Sequence, residues 1–154
     1  MSDTSSTLPA PDVESIRLVR AALVLKVVGI ADCLAVLHAL LPWTVIEQIH
    51  SFVGAGELRQ EPLIEYLVRS VSLLHAMFGV LLVLLSGDVA RYRDLIRSLA
   101  KLLCLAAIIL AFVDLQAGLP LWWLATQCGG LLGIGAYLLL STGLSYRTPR
   151  SQGE

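Results

Sequence analysis

The chain has 154 residues, 56% of them hydrophobic and 15% charged, with a net charge of −1. Soluble domains are roughly 45–50% apolar and about 25% charged, so the excess has to be buried in something other than a water-facing globule. The near-zero net charge supplies no field for nucleic acid, and 154 residues suit one domain.

Residues 1–14 are rich in Ser, Thr and Pro and read as a disordered tail. The apolar residues then gather into four long runs, at about 21–42, 62–86, 95–118 and 121–144. Each is close to or above the roughly 20 residues that cross a hydrocarbon core. Pro42, Gly54, Gly56, Gly87, Gly118 and Pro120 punctuate them. The first run is too long for a signal peptide, and no A-x-A site follows it. The expected fold is all-α: an integral membrane four-helix bundle spanning 15–145, with a cytoplasmic tail at 146–154.

Orientation follows from the basic residues. Arg17, Arg20, Lys26, Arg91, Arg93, Arg97, Lys101, Arg147 and Arg150 all fall on one side of the four runs, against Arg59 on the other. This places both termini in the cytoplasm. Arg exceeds Lys nine to two, Asn is absent, and a bacterial inner membrane is the expected location. Trp43, Trp122 and Trp123 then gather at the outer interface, where amphipathic rings settle.

Between the first two spans lies a short amphipathic segment at 45–53. Val45, Ile46, Ile49, Phe52 and Val53 share one arc, and Glu47, Gln48, His50 and Ser51 the other. Thr44 and Glu47 have capping-box spacing, and Gly54 can end the helix in a left-handed turn. An interfacial helix is expected.

Helices in a bilayer associate through small and polar residues. The stripes that offer these are Ala31, Ala35 and Ala39 in span one, and Ser72, Ala76 and Gly79 in span two. Span three offers Ala100, Cys104, Ala107 and Ala111, and span four offers Thr126, Gly130, Gly133, Tyr137 and Ser141. Gly129 and Gly133 also form a G-x-x-x-G pair. Leu67, Val71, Leu74, Phe78, Leu81 and Leu85 suit the lipid-facing side of span two.

Ionisable residues inside a membrane are costly and persist when paired or useful. Counted along straight helices from the outer breakers, His38, Glu65, Arg69, Asp114 and Gln127 fall in one layer roughly 5–10 Å down. That layer would draw on all four helices, with Arg69 clamped between Glu65 and Asp114. It reads either as a register pin or as a polar site open to the outer face. Asp32, near the midplane with no cation at its counted depth, is the candidate proton site. His75 falls deeper, at about 20 Å.

No nucleotide, nucleophile-elbow or metal spacing is present, so no catalytic residue, metal or cofactor is assigned. Cys33, Cys104 and Cys128 form no C-x-x-C pair and read as packing residues. The four spans, the long first outer loop, the Glu opening span two and the Arg-bearing inner loop resemble the DoxX-like small bacterial membrane proteins. The segment from Pro62 to Ser70 is similar to one that recurs in bacterial four-helix membrane proteins. The glycine-rich first span of the DoxX-like group is missing here, so quinone or thiosulfate chemistry is not carried over.

The leading functional expectation is a non-enzymatic accessory or small-amphiphile-binding protein. A small proton-linked transporter and a quinone-associated redox subunit are the alternatives. Membrane lipid and a homo-oligomer or larger membrane complex are the expected partners.

Overall fold

A computed structural model describes residues 12–54 and 59–143. Six helices follow one another: α1 (Val13–Cys33), α2 (Ala35–Leu40), α3 (Trp43–Phe52), α4 (Pro62–Ser86), α5 (Arg93–Gln116) and α6 (Leu121–Gly143). A single turn residue, Leu34, separates α1 from α2, and the two form one span. The four spans are long and apolar enough to cross a membrane. Their outward faces carry Leu23, Val27, Leu74, Leu84, Leu102, Ile108, Phe112 and Leu140, all more than half exposed apart from contact with lipid. Exposed apolar surface of this extent needs a non-aqueous covering. The chain is a multi-pass helical membrane protein.

The helix ends follow from local chemistry. Pro62 occupies the first turn of α4, where its missing N–H costs nothing, and Glu61 before it is extended. Gly118 ends α5 at φ 68°. There the Gly118 N–H donates to the Leu115 carbonyl and the Leu119 N–H to the Asp114 carbonyl, a Schellman pair. Gly54 ends α3 at φ 73°. The start of α3 differs from the capping-box reading: Pro42 is its N-cap, no side chain caps it, and Thr44 lies inside the first turn. A proline already fixes the backbone before the helix, so the Thr44 hydroxyl is not needed there. The first span also begins earlier than its apolar run, since Val13 and Glu14 are helical. The remaining tail expectations, for 1–11 and 144–154, lie outside the described residues.

The helices assemble as two antiparallel pairs. α1 and α2 run along α4, and α5 runs along α6. The pairs meet chiefly through α1 and α6, whereas α4 and α5, though consecutive, do not pack along each other. All four spans converge at the end that carries the α4–α5 turn. Ala21, Leu25, Leu82, Leu85, Val89, Ile96, Ala100 and Leu138 form the buried core there. At the opposite end α3 has Trp43 and Ile46 buried and Glu47, Gln48 and Ser51 exposed.

Two close approaches lock the pairs. A Cβ on Gly79 would stand 2.5 Å from the Gly29 carbonyl oxygen and 2.5 Å from the Cys33 nitrogen. Only glycine on both sides lets α1 and α4 cross this closely. In the second pair, Gly135 sits against the Ala100 carbonyl and the Cys104 sulfur.

Several packing expectations need correction. Ala107 is buried and Ala111 half-buried, and Ala35 and Ala39 are half-buried on α2. Gly129 and Gly133 are exposed, and a Cβ on either would meet nothing within 4 Å. The buried face of α6 is instead Cys128, Gly135, Leu138, Ser141 and Thr142. On α4, Leu67, Val71, Leu74 and Leu81 do face outward, but Leu85 is core and Phe78 is half-buried.

Candidate functional site

The polar residues expected in one layer are divided between the two helix pairs. Most of them line a single seam, that between α1–α2 and α4, in one antiparallel register. At the glycine crossing, His75 Nδ1 stands 3.6 Å from Asp32 Oδ1, and in the adjacent residues the Cys33 thiol donates to the Ala76 carbonyl. Then His38 Nδ1 and the Ser72 hydroxyl are 2.9 Å apart, and the Ser72 hydroxyl is also 2.9 Å from the Val68 carbonyl. Finally Arg69 donates from Nε and Nη2 to Glu65 Oε1, at 3.0 and 2.8 Å, and from Nη1 to the Ala39 carbonyl.

Arg69 therefore holds Glu65 and the end of α2, and the expected clamp to Asp114 is absent among the described residues. Asp114 belongs to the other pair. It is 5% exposed, and its Oδ2 accepts from the Cys128 thiol at 3.6 Å. The layer reading placed residues by depth alone. Depth does not say which helices are neighbours, and α4 and α5 are not packed neighbours. Asp32 likewise has a neighbour that the counting missed. The glycine crossing sets the register in which His75 comes alongside it.

Between the pairs lies a cavity of about 240 Å³. Its walls come from α1 (Leu25, Val28), α4 (Phe78, Leu82), α5 (Leu103) and α6 (Leu131, Ile134, Leu138). Asp32, His75 and Gln127 are its polar lining, and Gly130 leaves part of the α6 wall bare. Side-chain exposure is 27% for Asp32 and 59% for His75, so neither is sealed within the helix packing. Gln127, expected in the same layer as Arg69, lines the same cavity as Asp32. A second cavity of about 450 Å³ lies beneath α3, between Ile46, Ile49, Val68, Val71 and Trp123, with His38 and Ser72 at its edge.

Sequence reasoning nominated Asp32 and Gln127 separately and set His75 aside. The signal that joins them is the pair of glycines, Gly29 and Gly79, since a close crossing fixes the register of two helices. Among the described residues no group of three His, Cys, Asp or Glu side chains is placed to hold a metal ion.

No family model, curated protein or solved structure matches this chain. The class it defines is that of its fold, a four-span helical membrane protein with a partly polar cavity between two helix pairs.

Proposed function

We propose that the protein is a non-enzymatic binder of a small amphiphile, held in the cavity between the helix pairs. The carrying observation is that cavity itself: an apolar chamber of about 240 Å³ with three polar side chains grouped on α1, α4 and α6. Binding sites for small molecules are typically apolar hollows with a few convergent polar groups. The excess of Arg and Lys at the turn end supports an orientation with that end, and both termini, in the cytoplasm of a bacterial inner membrane. The four-span layout with a helix after the first span also supports a place among DoxX-like proteins.

Native mass spectrometry of the protein released gently from its own membrane tests this reading. A reproducible adduct is expected, and Gly130→Leu should abolish it. That position has open space around a new Cβ, so the leucine fills the chamber without a backbone clash. A bare protein, or an adduct indifferent to Gly130→Leu, would overturn the proposal.

The Asp32–His75 pair favours one second reading, a proton-linked carrier, because titratable pairs within spans serve as proton relays. Proteoliposomes loaded with a pH dye would then acidify when ligand is added outside, and Asp32→Asn would silence the signal. Ligand binding without any proton movement would exclude it.

A further inference from the structure

We propose that the amphiphile is a lipophilic primary amine, bound as its ammonium on Asp32 with its apolar body in the chamber. This rests on the amphiphile-binding reading and adds the chemistry of the head group. Among the described residues, Asp32 is the sole carboxylate on the cavity wall, and no Lys or Arg lines it. Asp32 stands 3.6 Å from His75 on α4, and the wall it shares also carries Leu103 on α5 and Gln127 on α6. The nearest seam cation, Arg69, is already held by Glu65 and the Ala39 carbonyl. An anionic head would therefore meet a carboxylate with no arginine or lysine to offset it. A neutral head would find hydrogen bonds but leave the carboxylate without a strong cation.

A primary ammonium satisfies all three polar groups. It offers three N–H donors, one for Asp32 Oδ1 or Oδ2, one for the Gln127 carbonyl oxygen, and one for the accepting nitrogen of His75. A quaternary ammonium has no such donors. Size limits the body. An apolar hole of about 150 Å³ takes up benzene, so about 240 Å³ accommodates one ring or a short chain beside Phe78, Val28 and Ile134.

Three ligands with one body and different heads separate the possibilities: phenethylamine, 2-phenylethanol and phenylacetate. Each is titrated calorimetrically into the full chain in non-ionic detergent, with empty micelles as the blank. Phenethylamine is expected to bind saturably and roughly tenfold more tightly than the alcohol, the margin of a charge-assisted over a neutral hydrogen bond. Phenylacetate should not bind. Asp32→Asn should bring the amine down to the level of the alcohol, while the alcohol's continued binding shows that the chamber is intact. If the alcohol matches the amine, or Asp32→Asn leaves the amine's advantage in place, the head-group assignment fails and amphiphile binding stands. If none of the three binds, or if Gly130→Leu leaves their binding unchanged, amphiphile binding itself fails and the amine with it.

Discussion

The two helix pairs solve the same packing problem differently. α1 and α4 meet glycine to glycine, with backbone against backbone on both sides of the crossing. From there a continuous run of polar contacts follows the seam, from Asp32–His75 to Arg69–Glu65. α5 and α6 meet through one glycine, Gly135, whose neighbours are a carbonyl and the movable Cys104 sulfur. Their polar contacts are isolated: Cys128 with Asp114 toward the α5–α6 turn, and Arg97 on the Thr142 carbonyl at the opposite end. The first seam is thus rigid and polar, the second adaptable and mostly apolar. The cavity between them takes its charged side chain from the rigid seam and its bare wall, at Gly130, from the adaptable one.

The largest expected effect breaks this contrast at the glycines. Gly79→Ala puts a methyl group 2.5 Å from two backbone atoms that belong to the facing helix. Neither can move without parting the helices, so a loss of about 3 kcal/mol or more is expected, the upper end of overpacking costs. Gly135→Ala meets Cys104 Sγ at 2.7 Å and the Ala100 carbonyl oxygen at 2.9 Å. The sulfur can rotate away, and a smaller cost of about 1–2 kcal/mol is expected. Thermal unfolding of the two variants in detergent gives the order directly. If Gly135→Ala proved the more damaging, the difference between the seams would be reversed.

A smaller effect probes the polar run. His38 and Ser72 share one hydrogen bond, with Ser72 8% exposed. Ser72→Ala and His38→Ala should each cost about 1 kcal/mol, and the double variant little more than either alone, because one bond is lost once. Full additivity in a double-mutant cycle would mean that the two side chains stabilise the seam independently.

These contrasts also mark what could be read from the chain alone. The four spans, the helix after the first and the left-handed glycine at Gly54 follow from run length, period and breakers, all of which are local. The buried row Ser72, Ala76 and Gly79 was legible because α4 has larger apolar residues on its other faces. α6 offered no such contrast. It carries Gly129, Gly130, Gly133 and Gly135 amid leucines on every side, so small residues could not mark a single face. The candidate site was legible in its members but not in its grouping. Asp32 and Gln127 stood out as polar residues in apolar runs, whereas the cavity they share with His75 depends on the crossing at Gly29 and Gly79, which have no charge to draw notice.

The smallest expected effect concerns the glycines that the sequence pattern singled out and the fold leaves bare. A Cβ at Gly129 or Gly133 meets nothing within 4 Å. Glycine in a helix interior is less favourable than alanine by about 0.8–1.0 kcal/mol. Gly129→Ala and Gly133→Ala should therefore each be neutral or raise stability by up to about 1 kcal/mol, and the pair should be additive or nearly so. Unfolding in mixed micelles of increasing SDS content resolves a gain of that size. A clear loss for either variant would show that this face is covered by something other than lipid tails. The adaptable seam would then extend beyond the single chain, and the contrast between the pairs would have to be redrawn with a second helix packed on α6.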